Sequence, residues 1–162
     1  MPCYNVEQYI KRCLNSLLQT TLNMNQYLII CYDDGSIDGT LKTLYTYQEK
    51  YPNIVIIKNE KNNGIAFARQ QLLNAVKTEY FYFVDADDIV TNNGLKKMHT
   101  AAHSNNADIV ISKSFMLKKQ AKRKINWFTS QFSHKTSLKY FINHNLFYLW
   151  NVLIKISFFS YD

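Results

Sequence analysis

The sequence has little glycine, proline or cysteine, and each shortage excludes a class of protein. Four Gly and two Pro in 162 residues, with 15% aromatic residues, argue against a disordered chain. Cys3, Cys13 and Cys31 are odd in number and lack CxxC spacing, so they indicate reduced thiols rather than a disulfide framework or a zinc site. There is no run of about 18 apolar residues for a membrane span and no signal-peptide pattern. We therefore expect one domain in the cytoplasm.

Acidic residues are missing from most of the last third of the chain. No Asp or Glu occurs between Ile109 and Tyr161, whereas residues 109–162 contain nine Lys and Arg. The segment from Lys113 to Lys155 therefore fits a polyanion or an anionic membrane surface, and it fits equally a solvated basic face.

Two nucleotide-binding fingerprints are also missing. The chain contains neither GxxxxGK[ST] nor GxGxxG, which excludes the P-loop and dinucleotide-binding classes. His99 and His103 are four residues apart but have no third ligand nearby in sequence, which favours a solvated helix face over a metal site.

Apolar patterns alternate between strand and helix along the first 111 residues. Runs of β-branched and aromatic residues predict strands at residues 27–32, 54–57, 80–84 and 107–111. Helical spacing predicts a helix after each of the first three strands and one near the start, with Asn5 as its N-cap. The alternation predicts an α/β domain in which these four strands form one mostly parallel sheet with helices on both faces. Residues 138–143 have a helical pattern, and residues 147–159 fit either a strand or a helix.

Half of the acidic residues lie in two short clusters, each directly after a predicted strand. One cluster is Asp33, Asp34 and Asp38, and the other is Asp85, Asp87 and Asp88. Ligands of open parallel sheets bind beyond the carboxyl ends of the strands, so we expect both clusters to face one pocket. Two carboxylates there suit Mg²⁺ or Mn²⁺ shared with substrate phosphates, and the alternative is helix capping without a metal.

Several segments, in order along the chain, resemble the signatures of family 2 glycosyltransferases of the GT-A fold. Residues 2–5 (PCYN) resemble the opening Pro-x-Tyr-Asn, and residues 33–40 (DDGSIDGT) resemble DDGSxDGT with Ile37 where Thr is usual. Asn63-Gly64 followed by Ala68-Arg69 resembles the family's N-x-G-x-x-x-A-R segment, and residues 83–88 (FVDADD) resemble the metal motif F-[LV]-D-x-D-D. Residues 151–155 (NVLIK) resemble N-K-L-[YF]-[RK], with Val152 replacing Lys. The resemblance implies a Rossmann-like, mostly parallel sheet flanked by helices.

On the base side, the resemblance implies that the first two segments line a nucleotide pocket. Pro2, Tyr4 and Asn5 would belong to it, since an aromatic face stacks on a base and an amide bonds its edge. Asn5 also suits a plain helix cap. Asp34 would accept a hydrogen bond from the base, and Asp33 would shape the loop.

On the phosphate side, the resemblance implies that Gly64, Arg69 and Asp85 contact the nucleotide sugar. Asp85 would lie beside the ribose, and Arg69 would lie near the nucleotide and the acids. The alternative for Arg69 is an exposed helical side chain. Asp87 would bind Mn²⁺ or Mg²⁺ at the diphosphate, where the metal helps the leaving group to depart.

The resemblance also implies missing parts. Met1 stands directly before Pro2, so we expect the family's first strand to be almost absent. The Asp that serves as general base in the family is expected beyond Asp162, outside the chain. We therefore expect residues 1–112 to form the nucleotide-sugar-binding part and residues 113–162 a basic, partial acceptor-side segment, without sugar transfer by the chain as given.

Three functions fit the sequence. The first is inverting transfer of a sugar from a nucleoside-diphosphate sugar to a glycan or lipid-linked acceptor, in bacterial surface polysaccharide synthesis. The second is an inactive remnant that retains nucleotide binding. The third is a basic module for polyanions or a membrane surface. The expected partners are the donor, the acceptor and the anionic inner face of the cell membrane, with no nucleic acid.

Overall fold

The computed structural model describes residues 1–112, 115–118, 121–124 and 152–159. The strands are β1 (Pro2–Cys3), β2 (Ile29–Asp34), β3 (Ile54–Asn59), β4 (Tyr80–Tyr82), β5 (Ile109–Ile111), β6 (Phe115–Lys118), β7 (Ala121–Lys124) and β8 (Val152–Lys155). The α-helices are α1 (Glu7–Leu18), α2 (Thr40–Gln48), α3 (Ile65–Ala75) and α4 (Gly94–Ser104). Short 3₁₀ turns cover Met24–Gln26 and Ile156–Phe159.

The chain forms two compact units. The first unit consists of Met1–Lys77 and Val84–Lys96, and the second consists of Thr78–Phe83 and Lys97–Asp162. All nine residues predicted to bind the nucleotide sugar or the metal lie in the first unit. The predicted functional division at residue 112 stays a prediction.

The first unit contains a parallel sheet in the order β1, β2, β3. Pro2 and Cys3 pair with Tyr32 and Asp33, and all six residues of β2 pair with β3. The pairing of β1 with β2 continues to Met1, whose amino group donates to the Ile30 carbonyl at 2.7 Å. What the chain contains of the first strand is therefore hydrogen-bonded into the sheet.

Helix α1 of this unit buries one apolar face. In α1, Ile10, Cys13, Leu14 and Leu17 follow helical spacing and are at most 4% exposed. Full burial of each such aliphatic side chain contributes about 1.5–3 kcal/mol. α1 packs against α2, α2 packs against β2 and β3, and α3 packs against β1 and β2. These contacts fix the loops that follow the strands.

The second unit contains a separate antiparallel sheet in which β8 lies between β4 and β5. Met98 and Ala102 of α4 pack with Leu153 of β8 in a small buried cluster. β6 and β7 form an antiparallel two-stranded ribbon in which Leu117 pairs with Lys122.

The α/β class with a parallel sheet and helices is confirmed, but the placement of the four predicted strands in one sheet is wrong. Residues 27–32 and 54–57 correspond to β2 and β3, whereas residues 80–84 and 107–111 correspond to β4 and β5 of the other sheet. The reason is β8, whose residues have a sequence pattern that fits either a strand or a helix. β8 supplies backbone hydrogen-bond partners to β4 and β5.

Two local predictions are also corrected. β2 extends through Asp33 and Asp34, because Cys3, Lys58 and Asn59 pair with them on neighbouring strands. The N-cap of α1 is Val6 rather than Asn5, whose φ of 51° puts it in the left-handed region before the helix.

Some sequence predictions fall outside the described residues. These are the helix at residues 138–143, residues 147–151 of the late run, and Asp162, beyond which the general base is expected. No helix among the described residues has the length and apolar character needed to cross a bilayer.

Candidate functional site

Three loops leave the carboxyl ends of the parallel strands side by side. β1 ends at Cys3, β2 at Asp34 and β3 at Asn59, and the three strands are in register. The loops are residues 4–6, 35–39 and 60–64. A parallel sheet therefore brings together segments about 30 residues apart in sequence, at the edge where α/β proteins bind ligands.

Asp34 organises the third loop. Its carboxylate accepts hydrogen bonds from the Gly64 backbone N–H at 2.8 Å, from the Asn63 N–H at 3.0 and 3.1 Å, and from Asn59 Nδ2 at 3.0 Å. Asp34 is only 3% exposed, so these donors replace the water that a buried carboxylate loses. The hydrogen bond from a base, which the resemblance implies for Asp34, remains a prediction.

Asp33 has a different environment from its neighbour. It is fully buried, and its Oδ2 accepts a hydrogen bond from the Ser36 N–H at 3.3 Å. Its Oδ1 is buried without a hydrogen-bond partner in the part of the chain that the structure describes. The bond to Ser36 closes the turn around Gly35, whose φ of 73° favours glycine. Asp33 thus shapes the second loop, as expected.

Gly64 connects the third loop to helix α3. Its φ of 89° and ψ of 163° lie in a region that only glycine occupies readily. Its N–H donates to Asp34 Oδ2 and also to Asn62 Oδ1, both at 2.8 Å. The glycine of the third motif is therefore required by the backbone turn that starts α3.

Arg69 of α3 reaches the acidic loop of residues 85–88. Its Nη2 lies 3.0 Å from Asp85 Oδ1, and the two side chains are 26% and 28% exposed. The alternative of a solvent-exposed helical arginine is therefore not what the structure shows. Through α3, the loop that Asp34 holds is connected to the acidic loop.

Side chains of helix α1 form hydrogen bonds with the backbone of the acidic loop and of Val90. Arg12 Nη2 donates to the Asp87 carbonyl at 3.3 Å, and the Cys13 thiol donates to the Asp85 carbonyl at 3.6 Å. The Val90 N–H donates to Ser16 Oγ at 3.1 Å. These contacts use main-chain atoms of the loop and leave the Asp87 carboxylate exposed.

The acidic loop has the charge and the donor atoms that suit a divalent cation. The pKa of Asp88 is raised by its burial and by the negative charges of Asp87 and Asp85, so a bound cation would relieve this repulsion. Carboxylate oxygens are the donors that Mg²⁺ and Mn²⁺ prefer. In the described ranges, no group of three His, Cys, Asp or Glu side chains is arranged to hold a metal alone. Metal binding by Asp87, which the resemblance implies, remains a prediction.

Pro2, Tyr4 and Asn5, which the resemblance places in the nucleotide pocket, lie in β1 and in the first loop. Pro2 lies half-buried in β1, and Tyr4 is 44% exposed, which leaves its ring available for stacking. The Asn5 N–H donates to Ser36 Oγ at 3.1 Å, and Asn5 Oδ1 accepts from the Ile37 N–H at 3.0 Å. Ile37 is 89% exposed, so only its backbone serves this contact, and Ile in place of the usual Thr leaves it unchanged.

Glu7, which the sequence reasoning missed, connects the first two loops together with Asp38. The Glu7 N–H donates to Asp38 Oδ2 at 3.1 Å, and the Gly39 N–H donates back to Glu7 Oε2 at 2.9 Å. The sequence analysis expected Asp38 to face a ligand pocket with Asp33 and Asp34. In the structure its carboxylate instead accepts hydrogen bonds from the N–H groups of Glu7 and Thr40, at the starts of α1 and α2. Its position two residues before the first residue of α2 was the available signal, because Asp commonly accepts from the N–H two residues on.

Comparisons with known proteins agree with the motifs. The model of the family described as Glycosyl transferase family 2 matches residues 1–161. The chain is 38% identical over 114 residues to the poly(ribitol-phosphate) beta-glucosyltransferase of Bacillus spizizenii, covering 70% of this chain and 18% of that protein. It is 32% identical over 175 residues to the processive diacylglycerol beta-glycosyltransferase of Mycoplasma pneumoniae, covering 99% of this chain and 51% of that protein. The chain thus spans about half or less of these relatives.

Solved structures show the same fold. The crystal structure of S. aureus TarS 1–349 superposes with a TM-score of 0.77, over 96% of this chain and 45% of that chain at 24% identity. The TarS complex with UDP gives a TM-score of 0.64, over 68% of this chain and 32% of that chain at 30% identity. Taken with the family match over residues 1–161, these findings show that the chain belongs to glycosyl transferase family 2 and has its GT-A fold.

Proposed function

We propose that this chain belongs to an inverting transferase that uses a nucleoside-diphosphate sugar and acts on a glycan or lipid-linked acceptor in bacterial envelope synthesis. The single observation that carries the proposal is the connected site of the first unit. Asp34 holds the loop that starts α3, and Arg69 of α3 pairs with Asp85 in the acidic loop. The relatives support the acceptor class, since one is named for poly(ribitol-phosphate) and another for diacylglycerol.

Each residue has a defined task in this proposal. Tyr4 stacks on the base, and Asp34 keeps the third loop in place beside it. Arg69 holds Asp85 for the ribose and adds positive charge beside the diphosphate. Asp87 binds Mn²⁺ or Mg²⁺, and the chemistry that the metal supplies when bound is neutralisation of charge on the departing nucleoside diphosphate. The general base stays a prediction for a residue beyond Asp162.

The test is calorimetric titration of UDP, the nucleotide of the TarS complex, with and without Mn²⁺. We expect binding that depends on Mn²⁺ and is lost in Asp87→Asn, which keeps the shape of the side chain and removes its charge. Glu49→Gln is the matched control, because it removes a charge from the exposed C-terminal end of α2. Equal Mn²⁺-dependent titrations for wild type and Asp87→Asn would exclude the metal role, and no binding by wild type would exclude the donor site.

We further propose that the enzyme works peripherally at the anionic inner face of the cell membrane. The ribbon of β6 and β7 brings Lys118, Lys122, Arg123 and Lys124 onto two paired strands, in a segment without acids. Each basic residue near an anionic membrane contributes about 1 kcal/mol. A diacylglycerol acceptor, as named for the Mycoplasma relative, lies in such a membrane.

Vesicle sedimentation tests this second proposal. We expect binding to vesicles with phosphatidylserine, and loss of that binding when Lys118, Lys119, Lys122, Arg123 and Lys124 are changed to Gln. Changing Lys11, Lys42 and Lys50 of the first unit is the control. Unchanged sedimentation of the five-residue variant would leave the ribbon as a solvated face.

A further inference from the structure

Hydrogen bonds connect the first loop of the site to the second. Asn5 bonds to Ser36 and to Ile37, as described above, and the Val6 N–H donates to Thr40 Oγ1 at 2.8 Å. The reciprocal pair of Glu7 with Asp38 and Gly39 completes the set. All five bonds join residues more than 30 positions apart, so they fix one loop against the other.

Asp38 serves two helices at once. Its Oδ2 accepts from the Glu7 N–H at the start of α1, and its Oδ1 accepts from the Thr40 N–H at the start of α2, at 2.9 Å. Neither helix has a side-chain cap from its own N-cap residue, which is Val6 in α1 and Gly39 in α2. One carboxylate therefore meets free N–H groups and the positive ends of two helix dipoles.

A close approach at Gly39 supports this arrangement independently. A Cβ placed on Gly39 would meet the carboxylate of Glu7, although the φ of Gly39 is −76° and suits any residue. A side chain at this position therefore fits only if the flexible Glu7 carboxylate shifts, and the backbone of Gly39 sets no such limit. Alanine at this position would push the Glu7 carboxylate away and break its bond to the Gly39 N–H.

The two connected loops carry residues that the proposed function places around the base. Tyr4 immediately precedes Asn5, and Asp33 and Asp34 precede the turn at Gly35. The pairing of Cys3 with Asp33 fixes the strands, but the exposed loops beyond need contacts of their own. Without them, Tyr4 would sample many orientations and binding would have to order it.

We propose that Glu7 and Asp38 form a clip that positions Tyr4 and Asn5 for nucleotide binding. This inference rests on the proposed function, and both residues are positioning residues that do not touch the nucleotide. The Ile37 N–H occupies the Oδ1 of Asn5, which leaves the Nδ2 of Asn5 for the edge of the base.

Two variants test the clip by different routes. Asp38→Ala removes both caps, and Gly39→Ala displaces Glu7 without changing it. Ile54→Val is the control for general destabilisation, because Ile54 is buried at the opposite end of β3 from the site. Hydrogen exchange followed by mass spectrometry measures the exchange rate of the amides of residues 4–7. Titration of UDP with Mn²⁺ measures the affinity of the site.

In both clip variants we expect faster exchange at residues 4–7 and UDP binding weakened about tenfold, because binding then has to order the side chains of Tyr4 and Asn5. The Ile54→Val control should melt at a lower temperature with UDP affinity unchanged. Clip variants that remain folded and bind UDP like wild type would overturn the inference, and so would unchanged exchange at residues 4–7. Failure of wild type to bind UDP would instead remove the proposed function, and the clip's positioning role with it.

Discussion

Arg69 Nη2 lies 3.0 Å from Asp85 Oδ1, and this ion pair joins helix α3 to the acidic loop. The pair matters because Asp85, Asp87 and Asp88 crowd three carboxylates into four residues. Both side chains are about three-quarters buried, so the pair is less screened than an ion pair on the surface. A cation supplied by the protein therefore holds one of the three carboxylates in place.

The ion pair predicts strong coupling between its two residues in nucleotide binding. Arg69→Gln and Asp85→Asn should each weaken UDP binding roughly tenfold, because a hydrogen bond between charged groups contributes about 1.5–3 kcal/mol. The double variant should bind UDP almost as well as the single variant with the lower UDP affinity, since both changes remove the same interaction. Calorimetric titration of the four proteins measures this coupling.

Lys155 and Glu79 provide the matched control for this cycle. Their ion pair lies in the second unit, with Nζ and Oε1 3.4 Å apart. Changing both to Gln should leave UDP binding unaltered. Strictly additive losses for Arg69→Gln and Asp85→Asn would show that the two residues act separately.

Gly64→Ala should destabilise the first unit through backbone strain alone. A Cβ at this position meets no atom within 4 Å, so the cost comes from φ and ψ and not from a clash. We expect the free energy of unfolding to fall by about 1–3 kcal/mol. Urea unfolding measures this, with Lys11→Ala at an exposed position of α1 as control. An unchanged free energy of unfolding in Gly64→Ala would mean that the third loop relaxes to another conformation.

The three thiols should resist modification in the folded protein. Cys3, Cys13 and Cys31 are at most 1% exposed, and burial raises the pKa of Cys13 to about 12. A chromogenic disulfide reagent at pH 8 should therefore label none of the three cysteines in the folded protein. After denaturant is added, it should label all three. Rapid reaction of one thiol in the native protein would contradict the burial.

Acid should loosen the clip at a pH set by Asp38. Burial acts to raise the pKa of Asp38, but hydrogen bonds from the Thr40 hydroxyl and from the N–H groups of Thr40 and Glu7 outweigh it, and the pKa lies below its usual value. The contribution of Asp38 to stability is therefore complete above about pH 4 and is lost as the pH falls through the lower folded pKa.

Thermal unfolding between pH 5 and pH 2.5 measures this effect. The Asp38→Asn variant should lose less stability over that interval than wild type, because it has no carboxylate to protonate. Glu49→Gln is the control, and its pH dependence should match that of wild type. Parallel curves for Asp38→Asn and wild type would rule out the contribution of Asp38.

Local patterns identified the elements that carry the site. The apolar run before Asp33 and the helical spacing of Ile10, Cys13 and Leu17 both depend on a few neighbouring residues. Their conformations could therefore be predicted from the sequence. The motifs placed Asp34, Arg69 and Asp87 in one candidate site by resemblance, and the contacts of the folded chain join the first two to the acidic loop.

The sequence by itself determined that strands and helices alternate and that acids follow the strands, because propensity and periodicity act over a few residues. Only the tertiary structure decided which groups these acids meet. Asp34 binds the backbone of Asn63 and Gly64, and Asp38 caps a helix that begins at Glu7. β8 likewise joins β4 and β5 into a second sheet. Such partners are about 30 to 70 residues apart, and hydrogen bonds over that separation depend on the path of the whole chain.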